Sequence, residues 1–292
     1  HLVNGEFFPL PITLALERNS VQLNETIVLV DSTNYPLANL LIDDIYEPDI
    51  DWECKLAYGS TDINHPYVLY KQNHKGMIYV SGKLIKVNNI RHYDFKKNRL
   101  TPQETKEYFL KNNWNVIVGF QTRNPLHKAH FELTKHALRQ AVDESKLFLN
   151  PVVGETQSVD IEYFVRTKCY QEIIKKYDQN QAILSLLPLA MRMAGPREAC
   201  LHALIRKNYG CTHFVVGRDH AGPSYKTKDG QLFYGPYDAQ NLLEKYASEI
   251  GIIPVTSKQI VYNATKDLYL PIDEIDKQDK ILELSGTEQR NL

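Results

Sequence analysis

The run Gly119-Phe120-Gln121-Thr122-Arg123-Asn124-Pro125-Leu126-His127-Lys128-Ala129-His130 gathers residue types that hold oxyanions. A guanidinium, two amide side chains and free backbone N–H groups share one polar loop. A helix is expected to open where that loop ends, near His127. Its first turn would add unpaired N–H groups and the positive end of the helix dipole. His127 and His130 stand at i and i+3, a spacing that turns both rings into the same space. Pro125 stiffens the loop and keeps Asn124 out of helical geometry. An isolated H-x-x-H pair is more often an incidental part of a capped helix than a site. Zinc takes three or four ligands, and no Glu lies between these histidines as in H-E-x-x-H, so no metal ligands are assigned.

A second run, Gly217-Arg218-Asp219-His220-Ala221-Gly222-Pro223, offers Arg218 for phosphate oxygens. The small Ala221-Gly222 pair lets backbone N–H groups approach an anion closely. A surface turn with an Asp–Arg or Asp–His pair would have the same composition. A third segment, Leu187 to Ala199, brings Arg192 and Arg197 close to a sheet end and a helix start, where pairing with carboxylates is the competing reading.

These loops need a scaffold, and the chain supplies two patterns. Up to about residue 98 it reads as β-rich, with candidate strands at 12–16, 26–30, 67–70 and 77–80, and a short helix within 44–57. Thr101, Pro102 and Glu104 form a helix start: an N-cap, a proline at N1 and a capping-box acid. Beyond it, strands expected at 114–120, 147–153, 182–187, 213–217 and 252–256 alternate with helices. Those helices are expected from about 127, at 162–177, at 196–209 with Gly210 as C-cap, and at 237–250 ending on Gly251. That alternation predicts a parallel sheet covered on both faces, with ligands at the carboxyl ends of its strands. Gln121 and Arg218 follow two such ends. The expected division is 1–98, 99–256 and 257–292.

The chain has 292 residues, is 43% hydrophobic and 24% charged, and balances 34 Lys and Arg against 35 Asp and Glu. A net charge of −1 argues against a general binder of nucleic acid or membrane surfaces, though not against a local cationic pocket. The four cysteines form no C-x-x-C pair, so neither a disulfide framework nor a zinc cluster is expected, and reduced thiols in the cytoplasm are. No apolar run approaches the ~20 residues of a membrane span. No signal peptide is visible, although the chain opens at His1. No G-x-x-x-x-G-K-[ST] sequence is found in these residues, so nothing here implies a fused P-loop kinase.

Gln121–His130 resembles the Q-T-R-N-P-x-H-x-x-H motif of ATP sulfurylases. It is also similar to the H-x-G-H motif of nucleotidylyltransferases, with Ala129 in the glycine position. Gly217–Pro223 resembles that family's G-R-D-H-A-G-P at every position. The likeness runs through 187–199, 205–210 and 233–240, and 284–290 is similar to its S-G-T-x-x-R motif. Residues 154–160 depart from the family pattern. The resemblance implies an α/β fold: a Rossmann-like nucleotidylyltransferase parallel-sheet domain, preceded by a β-rich PUA-like domain whose start is missing, and followed by a small C-terminal α/β segment.

It further implies that ATP and sulfate react, by direct in-line attack, to give adenosine 5′-phosphosulfate and pyrophosphate, with Mg²⁺ bound to the ATP. Thr122, Arg123, Asn124, His127 and His130 would be catalytic. Gln121, Arg123, Asn124, His127, His130, Arg218, Asp219 and His220 would hold ATP, and Gln121, Arg123 and Ala221 the sulfate. A cytoplasmic homo-oligomer without nucleic-acid or membrane partners is expected. One rival reading is another nucleotidylyltransferase acting on a phosphorylated acceptor. Another is a nucleotide sensor or RNA binder using the PUA-like part; its basic patch would be 91–99, which reads more simply as a solvated charge run.

Overall fold

A computed structural model describes residues 1–142 and 144–282. The first part is an antiparallel sheet of β1 (Leu14–Leu16), β2 (Thr26–Val30), β3 (Pro36–Tyr46) and β4 (Ile78–Val87) in the order β1-β4-β3-β2. Burial alternates along β3, where Ala38, Leu40 and Ile42 turn inward, so one face of the sheet meets the core. Between β3 and β4 lie α1 (Ile50–Tyr58) and α2 (Pro66–Gln72).

Two sequence expectations change here. The helix sought within 44–57 starts only at Ile50, because β3 runs to Tyr46 and Asp49 is the N-cap, accepting from Trp52 N at 2.9 Å. The strand expected at 67–70 is helical. Pro66 occupies the first turn, the His65 ring caps it, and the buried positions Val68 and Lys71 are three apart rather than two. Four apolar or aromatic residues in a row fit either period, and the flanking cap decided. Leu10, Cys54, Tyr58 and Val68 share a buried cluster with Ala194 and Leu201 of the second part, so the two parts have a common core at that seam.

The second part opens with α3 (Pro102–Lys111), started by the expected capping box on Thr101 and Glu104. There follow β5 (Ile117–Phe120), α4 (Lys128–Ala141), β6 (Lys146–Leu149), α5 (Tyr163–Ile173), β7 (Ala182–Leu184), α6 (Pro196–Asn208), β8 (His213–Val216), α7 (Asp238–Ile250) and β9 (Ile253–Thr256). The five strands are parallel, in the order β7-β6-β5-β8-β9, and β5 is buried throughout. They are shorter than the apolar runs that announced them. Trp114, for instance, stacks on Phe109 at 5.5 Å before β5 begins. Helix α6 is capped by Tyr209, with Gly210 one position on at φ 99°. A last antiparallel sheet, β10 (Ile260–Asn263), β11 (Leu268–Pro271) and β12 (Ile281–Leu282), lies against α4. The 284–290 motif falls outside the described residues. Among those, no helix is long and apolar enough to cross a membrane.

Strand order reverses at β5, which has β6 on one side and β8 on the other. Doubly wound sheets open a crevice at such a point. The loops that leave β5 and β8 into it are 121–127 and 217–223.

Candidate active site

Both loops reach one cleft of about 370 Å³, lined by Arg123 from the first and by Arg218, Asp219, His220, Gly222 and Pro223 from the second. Arg123 joins them physically. Its Nη2 donates to Gly222 O at 3.3 Å and to Ser224 Oγ at 3.4 Å, its Nη1 lies 2.7 Å from Met193 Sδ, and its Nε stands 3.8 Å from Asp160 Oδ2. Arg218, on the cleft lining and about half-exposed, has Nε 3.2 Å from Asp219 Oδ2 and Nη1 donating to Gln259 Oε1 at 2.7 Å. The Asp–Arg turn considered as a competing reading is therefore present, but it opens into the cleft. Asp219 and Ala221 both adopt positive φ, 52° and 57°, which turns successive peptide units of this loop. The Ala221 carbonyl accepts from Gly195 N at 3.1 Å.

The residues after β5 divide their work. Gln121 Oε1 accepts from Arg206 Nη2 at 2.5 Å, which fixes the amide and leaves Nε2, 3.6 Å from Met191 Sδ, as the donor. The Thr122 hydroxyl is buried, donates to Asn124 O and accepts from Asn124 N, both at 3.0 Å, and so shapes the loop itself. Tyr170 Oη adds a third bond, to Asn124 O at 2.8 Å.

His127 is the N-cap of α4 rather than its first residue, since the helix starts at Lys128. Its ring stacks on His130 with centroids 3.9 Å apart, and both Nδ1 atoms are buried without a hydrogen-bond partner among the described residues. Burial pushes both imidazoles down. His130 falls to about 3, helped by His127 beside it. The pair is thus neutral at pH 7, and each ring can present one N–H beside the start of α4.

Sequence reasoning missed what stands behind these loops. On α6, Glu198, His202 and Arg206 are spaced four apart and all buried. Glu198 accepts from Arg192 N at 2.8 Å and from Ala194 N at 3.0 Å, and lies 3.6 Å from His202 Nε2. His202 Nδ1 meets His220 Nε2 at 3.1 Å. Burial raises the Glu198 carboxyl, but His202 and the two N–H donors bring it below its usual range. Burial holds His220 well below an ordinary histidine. Between the two N–H groups gripped by Glu198 sits Met193, at φ 56°, and its carbonyl accepts from His65 Nε2 of the amino-terminal part at 3.0 Å. Gly195 follows at φ 50°, where any Cβ would stand 2.4 Å from the Tyr234 ring. The signal that could have found this stripe was present: charged residues at i, i+4 and i+8 in a helix that also buries its apolar faces. Among the described residues neither Arg192 nor Arg197 forms an ion pair with a carboxylate, the competing reading of this segment. They donate to the carbonyls of Pro11 and Pro9, at 2.9 and 3.0 Å, and tie the amino-terminal segment down.

Comparison with known proteins gives the family to which these loops belong. The ATP-sulfurylase family matches residues 96–292 and a PUA-like domain matches 1–89. A sulfate adenylyltransferase of Schizosaccharomyces pombe is 46% identical over 294 residues, covering 99% of this chain and 59% of the relative. One of Emericella nidulans is 46% identical over 296 residues, covering 99% and 51%. This chain therefore spans between half and three-fifths of the length of these curated relatives. Among solved structures, a hexameric APS kinase from Thiobacillus denitrificans shares the fold with TM-score 0.75 at 24% identity, covering 99% of this chain and 50% of that one. On the match over residues 96–292, the chain belongs to the ATP-sulfurylase family.

Proposed function

We propose that this chain carries out sulfate adenylylation, converting ATP and sulfate to adenosine 5′-phosphosulfate and pyrophosphate. The observation that carries the reading is that the two strand-end loops share one cleft, with Arg123 bonded across to the Gly222 carbonyl. Sulfate is a dianion and ATP carries about four negative charges at neutral pH. Two unit charges ~4 Å apart interact by about 1 kcal/mol in water and about 4 at an effective dielectric of 20. Arg123 and Arg218 offset that repulsion from opposite loops. Gln121 Nε2, Arg123 and the Ala221 backbone N–H hold sulfate. Asn124, His127, His130, Arg218, Asp219 and His220 surround the ATP phosphates.

Sulfate is already an ionised nucleophile, so no side chain has to remove a proton from it. A sulfate oxygen attacks the α-phosphorus, and the bond from that phosphorus to the bridging oxygen breaks in line. Neutral His127 and His130, together with the N-terminal N–H groups of α4, donate to the charge that builds on the departing pyrophosphate. Thr122 keeps Asn124 and the loop in register.

Among the described residues no group of three or more His, Cys, Asp or Glu forms a metal cage, and Asp219 is the carboxylate on the cleft lining. That lining fits Mg²⁺ carried by the ATP phosphates, where the ion would neutralise charge on the β- and γ-oxygens.

The working division is residues 1–98, 99–256 and 257–292, and we infer a cytoplasmic homo-oligomer. Burial pushes the Cys54 and Cys200 thiols up to about 11 and about 12, so neither is a reactive thiolate at neutral pH. Pyrophosphate release from Mg-ATP, measured with and without sulfate, tests the reading. Release that depends on sulfate supports it, and release indifferent to sulfate refutes it.

A further inference from the structure

Arg206 is 0% exposed. Its Nη2 donates to Gln121 Oε1 at 2.5 Å and to Asn150 O at 2.6 Å, its Nη1 to His202 O at 3.4 Å, and its Nε has no partner among the described residues. Every acceptor is neutral. The two groups near enough to favour its charge are the Cys211 thiol and the Tyr209 phenol, and burial pushes both up, so both are uncharged at pH 7. Among the described residues no carboxylate pairs with it. Burial lowers Arg206 to about 10, so the guanidinium stays charged.

A buried charge without a counter-ion is costly, and natural structures nearly always pair it. The position of this one supplies a reason. Arg206 holds the amide of Gln121, on the loop that also carries Arg123 to the cleft, and donates to the carbonyl of His202, whose ring reaches His220 on the cleft wall. We propose that Arg206 is a positioning residue for the anion site, with two parts to its role: it turns the Gln121 amide so that Nε2 faces the anion, and it lends a positive charge that only the bound oxyanion neutralises. The inference rests on the sulfate adenylylation reading and adds to it a group that touches neither substrate.

The experiment compares Arg206→Met and Arg206→Lys with the unaltered chain, by steady-state kinetics and by the rise in Tm as sodium sulfate is added. Methionine fills much of the volume without the charge. It should leave the anion-free Tm unchanged or higher, raise the sulfate KM roughly 10- to 100-fold, as expected for a lost hydrogen bond to a charged group, and abolish most of the sulfate-induced Tm rise. The ATP KM should change less than about threefold, because the effect is routed through Gln121. Lysine keeps the charge without the fork and should recover most of the sulfate response. A merely structural tie predicts the opposite pattern: a lower anion-free Tm with the sulfate KM intact, which overturns the proposal. So does a lysine variant as impaired towards sulfate as the methionine one, or equal losses for sulfate and ATP. Should the methionine variant fail to fold, the lysine variant still decides: recovery to within about tenfold of the unaltered sulfate KM supports the charge, and a roughly hundredfold loss refutes it. If the unaltered chain gains Tm from sulfate yet releases no pyrophosphate, the catalytic reading fails while the binding arm still tests Arg206.

Discussion

The two sides of the anion cleft are built on opposite principles. The loop after β8 holds Arg218 and Asp219 half-exposed at the cleft, paired with each other and, for Arg218, with Gln259. The face of α6 behind the cleft holds Glu198, His202 and Arg206 in the core, bonded to backbone groups and to His220. Solvated charges cost little to keep and are screened by salt. Buried ones cost a great deal unless they are satisfied, and they keep their full effect on a ligand. The loop after β8 can therefore attract and adjust, while the wall behind it decides geometry.

That contrast is tested most sharply at the histidine pair at the start of α4, whose Nδ1 atoms are buried as the α6 groups are. Replacing His130 with Ala should keep the fold and lower kcat by about 10²- to 10³-fold, the usual effect of removing one donor from a developing charge. Near-normal turnover in steady-state assays would remove His130 from the mechanism. Next in size, Glu198→Ala strips two backbone N–H groups and His202 of their acceptor. Denaturant unfolding should show a loss of about 3 kcal/mol or more, far beyond any change at Asp219.

The same side should also respond to acid. His130 falls to about 3 in the folded chain from an ordinary 6.5, so the unfolded chain binds a proton there that the folded one does not. Stability from this group is complete above pH 6.5 and is lost as the pH falls from about 6.5 towards 3. His130→Asn should flatten that part of the stability–pH curve, measured by urea unfolding at several pH values. An unchanged slope would mean that the ring is already protonated in the fold. On the solvated side, Arg218→Ala should raise the ATP KM about tenfold, with a penalty that shrinks as salt rises. Asp219→Asn should move stability by no more than about 0.5 kcal/mol.

The fold and the site were legible to different depths. Alternating apolar runs and helix signals announced the parallel sheet, and strand ends pointed to Gln121 and Arg218, because burial on both faces leaves an uninterrupted apolar signature. The helix at Pro66–Gln72 was misread, since a run as short as Tyr67–Tyr70 carries no period of its own and its cap, a histidine ring, is an unusual one. Strand β3 went unread because its carboxylates Asp43 and Asp44 interrupt the alternation near its end. The wall behind the site was hidden for another reason. Arg206 meets Gln121 across 85 positions of sequence, and the His65 contact to Met193 spans 128. A local pattern shows that a residue type is present, whereas its purpose is set by partners the topology brings in.

The claim on which the rest depends is that Arg123 and Arg218 serve one anion pocket. A double-mutant cycle measures it directly: Arg123→Gln, Arg218→Gln and the pair, each assayed for kcat/KM of sulfate-dependent pyrophosphate release. Residues acting on a shared bound substrate should be non-additive by about 1 kcal/mol or more, whereas independent sites add to within about 0.5. Coupling of that size is the predicted result. Strict additivity would contradict the account.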